Sequence, residues 1–283
     1  MRIKVLQPGS YSCLVDLGRF HFRKYGVPSS GPMDTQSAMR AHSLVGNPTK
    51  YPLIESYLSG LHLEFDHEAL CSITGGKAEI LHNDVPISNT NPILLDSGDR
   101  LKVGRMISGA RTYIAIRGAI QSPHVLDSVC PLVGYHDSRL TQGEILQITT
   151  KRENQNTAQS LVKPLSIEPS TPIQVHPGPE WHLLSQHDQA LLLDQEYTIS
   201  RLADRMGYRL EGTPVQAEKH IEIFSSPVMP GIIQLLPSGL PLVLMRDCQT
   251  TGGYPRVLQV VEHSIMQLAQ RKTHDTARLQ LVK

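Results

Sequence analysis

The feature that most constrains this chain is the rhythm of its apolar runs. Stretches of four to six apolar-rich residues recur at intervals of eight to twelve, separated by Gly, Pro, Asn and Asp. Runs that short suit strands better than helices, and the punctuating residues are those that turn a backbone. The runs 3–6, 11–17, 53–55, 61–65, 69–74, 78–81, 85–87, 93–95, 101–103, 112–116 and 144–149 fill the first half. The runs 173–176, 196–200, 221–224, 232–236, 241–245, 257–261 and 278–282 fill the second. Gly75-Gly76 reads as a break between two of these strands. The pattern predicts a mainly β fold of barrel or sandwich type.

Helices are few. The clearest covers 35–45, with Ala38, Ala41, Leu44 and Val45 on one face, Asp34 placed to cap it, Gly46 to end it and Pro48 just beyond. Weaker helical spacing marks 181–193 and 265–270, and 126–143 has no assignable period. Residues 151–172 are polar and carry Pro164, Pro169 and Pro172. They place a linker at 156–172, between an N-terminal domain at 1–155 and a C-terminal domain at 173–283. Both halves open with a strand and a Pro-Gly turn, which hints at two duplicated small barrels.

Charge and motifs exclude several functions. The 283 residues carry a net charge of +1 and no long basic run, which argues against nucleic acid. None of the thirteen His falls in a metal-binding spacing. Cys13, Cys71, Cys130 and Cys248 are scattered, mostly in apolar runs, as expected of reduced thiols in a cytoplasmic protein. The start does not read as a signal peptide, and no apolar run approaches the roughly 18 residues of a membrane span. A phosphate loop, a dinucleotide fingerprint and a Gly-x-Ser-x-Gly elbow are all lacking. The chain alone is therefore not expected to hydrolyse nucleotide.

Four polar loops remain: Gly18-Arg19, 29–34, 204–209 and 247–254. Arginine beside a glycine turn suits recognition of a carboxylate, because the planar fork meets a backbone that can approach closely. Gly252-Gly253 could aim amide N–H groups at a developing oxyanion, or simply turn the chain. Asp34 needs no role beyond its cap, and Asp204-Arg205 and Arg209-Glu211 read equally well as ion pairs. The stretch 231–261, a polar loop rich in hydroxyls held between apolar strands, is the strongest site candidate.

Several longer stretches resemble a known family. Leu17-Gly18-Arg19, the segment 26–34 and Leu44-Val45-Gly46-Asn47-Pro48 resemble the start of the allophanate hydrolase subunit 2 family, also called KipA or biotin-dependent carboxyltransferase. The segments 204–212 and 247–255 are similar to its second half. The resemblance implies two cyclophilin-like β-barrels and a sibling subunit of the KipI (subunit 1) type. It also implies work on a small carbonyl or lactam substrate, with a lactam-utilisation subunit as a further partner. Ala38-Met39-Arg40 lacks the lysine of a biotinylation motif, so ATP, and biotin if it is used, are expected from partner subunits.

On this basis the chain is expected to be the C subunit of an ATP-dependent 5-oxoprolinase. The alternatives are a carboxyltransferase of the urea carboxylase type and a non-enzymatic regulator that binds its sibling. Expected catalytic residues are Asp34, Asp247, Thr250, Thr251 and Tyr254. Expected substrate-binding residues are Arg19, Arg205, Arg209, Gln234, Gly252 and Gly253.

Overall fold

The structure is a computed structural model that describes residues 1–88, 91–149, 170–215 and 223–282. The chain divides into two compact units: Met1–Arg19 with Asp34–Ile167, and Phe20–Met33 with Glu168–Lys283. The expected linker at 156–172 lies outside the described residues, apart from its last three.

The first unit is a curled sheet of ten strands: β1 (Arg2–Pro8), β2 (Tyr11–Val15), β3 (Leu53–Tyr57), β4 (Leu61–Phe65), β5 (Ala69–His82), β6 (Val85–Ile87), β7 (Ile93–Leu95), β8 (Arg100–Ile116), β9 (Ala119–Gln121) and β10 (Ile145–Thr149). The main path runs β2-β3-β8-β4-β1-β10-β9, and β5 pairs β6, β7 and β8. Alternation along β2, β3 and β8 divides the side chains between two cores. Leu14, Ile54, Ile114 and Ile116 join the large core with Val5, Leu63, Phe65 and Ile73. Cys13, Val15, Leu53, Tyr113 and Ala115 face the other way, onto Ala38, Ala41 and Val45 of helix α1 (Thr35–Val45). With both faces covered, β2, β3 and the second half of β8 are buried almost throughout.

Two sequence-based strand breaks are overturned. Residues 69–82 form one strand across Gly75-Gly76, and 100–116 form another. The glycines admit close approach: a Cβ on Gly75 would lie 2.5 Å from Arg111 O, and one on Gly76 2.4 Å from Met106 Cε. The register shifts between Gly75 and Ile80, so these glycines bend the ladder and do not end it.

Helix α1 forms as its sequence expects. Asp34 accepts from Ser37 N at 3.0 Å, and Gly46 ends the helix in the left-handed conformation. Its His42 is buried with Nδ1 unpartnered, and burial lowers its pKa to about 4. The unfolded chain takes up a proton near pH 6.5 and the folded chain only near 4, so stability is lost as pH falls through that window. The full loss is about 3 kcal/mol, of which about 2 is reached by pH 5. Unfolding free energies from urea titrations at pH 7 and pH 5 should differ by that amount in the native chain, and His42→Gln should remove most of the difference.

The described strands of the second unit are β11 (Ile173–Pro177), β12 (Glu196–Ile199), β13 (Gly207–Glu211), β14 (Ser226–Pro227), β15 (Ile232–Leu235), β16 (Pro241–Leu244), β17 (Thr251–Gly252), β18 (Arg256–Val260) and β19 (Thr276–Leu281). All but β14 and β17 form a closed barrel in the order β11-β18-β15-β16-β13-β12-β19. Parallel pairing of β11 with β19 closes the ring, so each of its seven strands is paired on both sides. Ile173, Tyr197, Tyr208, Ile233, Val243 and Val257 fill it, together with Met33 from the segment Phe20–Met33. The helical expectations resolve into a single turn at Trp181–Leu183, helix α2 (Gln186–Asp194) and helix α3 (Glu262–Ala269). Of the expected strand at 221–224, the first two residues lie outside the described residues, and the other two are not in a strand.

Candidate active site

The geometry of the stretch 231–261 starts with β15 and β16. Alternation sends Ile233, Leu235 and Val243 into the barrel, so Ile232, Gln234, Leu242 and Leu244 face outward. Those outward residues are nonetheless covered. Ile232 and Leu244 make a small apolar cluster with Val228 and Cys248, and Leu242 packs against it. The cover is a two-stranded ribbon in which β14 pairs with β17, Ser226 opposite Gly252 and Pro227 opposite Thr251. Val228 N donates to Thr250 O at 3.0 Å and continues the pairing.

The loop 246–255 is fixed at three places. At its start Arg205 forms a fork on Asp247, with Nε to Oδ2 at 2.7 Å and Nη2 to Oδ1 at 3.0 Å. Nη2 also donates to Gly31 O at 2.7 Å, and Asp247 N returns a bond to Arg205 O at 2.8 Å. Beneath its centre lies Gln234, fully buried, whose Nε2 donates to Tyr254 O at 3.2 Å. Gly252 rests on this amide: a Cβ there would lie 2.6 Å from Gln234 Nε2. At its end Arg256 is clamped by Glu180, with Nη2 to Oε1 at 2.6 Å and Nε to Oε2 at 2.9 Å. The Arg256 guanidinium holds the Glu180 carboxyl below its usual range.

What the loop presents to solvent is a short polar edge. Thr251 and Gly253 are exposed, Thr250 and Gly252 are half-buried, and Tyr254 is 44% exposed. Arg209 stands exposed on β13, in the same cross-strand row as Leu242 and Gln234. Two strand spacings put its backbone roughly 10 Å from that of Gln234. Burial pushes the Cys248 thiol up to about 11, so it stays protonated beneath the loop and is no nucleophile at neutral pH.

Among the expected site residues, the second unit thus brings together Gln234, Asp247, Thr250, Thr251, Gly252, Gly253 and Tyr254, with Arg205 behind Asp247 and Arg209 in the row beyond Gln234. The carboxylate of Asp247 is taken up by Arg205. The neighbouring Asp204 does not pair with Arg205; its Oδ1 accepts from Met206 N at 2.8 Å and Gly207 N at 3.1 Å and shapes the turn.

Arg19 and Asp34 belong to the first unit. Arg19 is fully buried and donates through Nε to Val125 O at 3.0 Å, through Nη1 to Pro131 O at 3.3 Å, and through Nη2 to Cys130 O. It therefore fastens the loop 125–131, which Asp16 also holds by accepting from Ser128 Oγ at 2.6 Å and Val129 N at 2.9 Å. Asp34 accepts from Ser37 N and, at 2.6 Å, from Ser37 Oγ, while its own N–H donates to Tyr113 Oη at 2.7 Å. Sequence reasoning missed Glu180 and Arg256. The only signal for them is an acid after Pro177-Gly178-Pro179 and a base after Pro255.

Among the described residues no group of three or more His, Cys, Asp or Glu could hold a metal ion. In the same residues no helix is long and apolar enough to cross a membrane.

Comparison with known proteins agrees with the two-unit β architecture. The family model described as "Carboxyltransferase domain, subdomain A and B" matches residues 25–281. The chain is 31% identical over 273 residues to the C subunit of 5-oxoprolinase from Escherichia coli, covering 95% of this chain and 87% of that one. It is 29% identical over 285 residues to the C subunit of 5-oxoprolinase from Haemophilus influenzae, covering 99% and 91%. Among solved structures, Kluyveromyces lactis urea carboxylase matches with a TM-score of 0.88 at 26% identity, covering 100% of this chain and 27% of that one.

Proposed function

The chain belongs to the carboxyltransferase domain family, subdomain A and B, and from that premise we propose that it is the C subunit of an ATP-dependent 5-oxoprolinase. The observation that carries this reading is the near end-to-end match with the Escherichia coli protein, at 31% identity over 95% of this chain and 87% of that one. The urea carboxylase structure, by contrast, holds the same fold within a chain several times longer.

In this reading the lactam C–N bond of 5-oxoproline is cleaved. Water supplies the hydroxyl that ends on the carbonyl carbon and the proton that ends on nitrogen, and ATP hydrolysis drives the step. ATP is bound by partner subunits, one of them a sibling of the KipI type and another a lactam-utilisation subunit, because this chain has no phosphate loop. The hydroxyls of Thr250, Thr251 and Tyr254 and the amides of 252–253 polarise the lactam carbonyl, and Arg209 receives the substrate carboxylate. Asp247 serves the loop through Arg205, and Asp34 serves its helix cap.

In the complex assembled with its partner subunits, Thr251→Ala should lower 5-oxoproline-dependent ADP release by about 10- to 100-fold. Unchanged turnover would remove the site assignment.

Carboxyl transfer from a carboxybiotin carrier is the second reading, favoured by the family description and by the match of this whole chain to 27% of the urea carboxylase chain. It requires turnover to depend on bicarbonate and on a biotinylated protein.

A further inference from the structure

We propose that Glu180 is a positioning residue for the loop 251–254, acting through Arg256. The inference rests on the reading above, in which that loop faces the substrate. Glu180 and Arg256 are both largely buried, with side chains 12% and 18% exposed. Glu180 Oε2 accepts from Arg256 N at 2.8 Å as well as from Nε, so main chain and side chain of Arg256 are held by one carboxylate. That leaves Nη1, which donates to Pro227 O at 3.1 Å. Pro227 is the residue paired with Thr251. The line of contact therefore runs from Glu180 to Arg256, to Pro227, to Thr251.

The surroundings prevent this line from slackening. Gly178 N donates to Val257 O at 2.8 Å, and a Cβ on Gly178 would lie 2.1 Å from Arg256 O. The turn bearing Glu180 is thus seated directly on the strand bearing Arg256. At the other end Arg205 pins Asp247, and in between Gly252 rests on Gln234. Hydroxyls and amides that must meet a developing charge work best when their supports are rigid. The Glu180 clamp supplies that rigidity at Pro227, opposite Thr251, while Arg23 Nη2 donates to Val228 O one residue further along the ribbon.

Two variants test this in the assembled complex. Glu180→Gln keeps the shape but replaces an acceptor oxygen with a donor facing Arg256. Arg256→Lys keeps the charge pair with Glu180 but loses the third arm to Pro227. Both should lower kcat about tenfold, with KM for 5-oxoproline changed less than about twofold. Arg256→Lys should do so with its urea midpoint at the native value, which a merely structural role would not produce. Native kcat in both variants overturns the inference. So does a fall in kcat for Glu180→Gln that is matched by lost folding, with Arg256→Lys fully active. Thr251→Ala measured alongside separates the two claims: an inactive Thr251→Ala with active clamp variants sinks only the clamp, whereas an active Thr251→Ala sinks the reading on which it rests.

Discussion

Replacing Arg205 with leucine should destabilise the second unit by about 3 kcal/mol and take catalytic function with it. The side chain is 9% exposed and faces an Asp247 that is 12% exposed. Leucine would delete at least three hydrogen bonds and strip the nearly buried Asp247 of the guanidinium that pairs it. The cost of an orphaned charge exceeds the net worth of the pair, so removing both ends should be milder than removing one. The expected order of urea midpoints is native, then Arg205→Leu with Asp247→Leu, then Arg205→Leu alone. A single variant as stable as the native chain would show that the pair contributes nothing. The loss of the bond to Gly31 O adds to the effect, because that carbonyl belongs to the segment whose Met33 fills the barrel core.

Gly252→Ala should lower turnover of the assembled complex about 100-fold while the barrel stays folded. The added methyl would meet Gln234 Nε2 at 2.6 Å. Gln234 is fully buried and tied to Tyr254 O, so moving its amide aside breaks that bond and frees Tyr254. If the amide stays, the ribbon lifts instead. A displacement of about an ångström at Thr251 and Gly253 is enough to cost two orders of magnitude where reacting groups must be aligned. The ribbon lies outside the barrel's strand pairing, so circular dichroism should change little, and the urea midpoint should fall only by the partial exposure of the Ile232–Leu244 cluster beneath it. Equal activity in Gly252→Ala and the native chain would mean that the loop tolerates displacement and does not hold a reacting group.

How much of this is legible in the sequence depends on the range of the interaction. Helix α1 is readable because Asp34, its apolar face and Gly46 all act within one element. The short strands at 61–65, 85–87 and 93–95 are readable for the same reason: turn residues bound them on both sides. The long strands β5 and β8 are not, because Gly75-Gly76 signals a break locally and close packing across the sheet overrides that signal. The site divides similarly. The loop 247–254 stands out by composition, and Thr251 and Tyr254 are exposed residues in it. What holds it is hidden: Arg205 finds Asp247 across 42 residues and Arg256 finds Glu180 across 76. Sequence proximity instead suggests Asp204 for Arg205, and the fold gives Asp204 to a turn. The place of Phe20–Met33 in the second unit is equally invisible, since its packing partners are set only by the closed barrel.

As one subunit of a lactam-opening enzyme, this chain should be required for 5-oxoproline to become glutamate. The most direct measurement is glutamate formed from 5-oxoproline by the chain mixed with its partner subunits and ATP, with bicarbonate and biotinylated protein left out. The expected result is glutamate and ADP released together, abolished when this chain is omitted. Turnover that appears only when bicarbonate and a biotinylated carrier are restored, or that proceeds equally well without this chain, would contradict it.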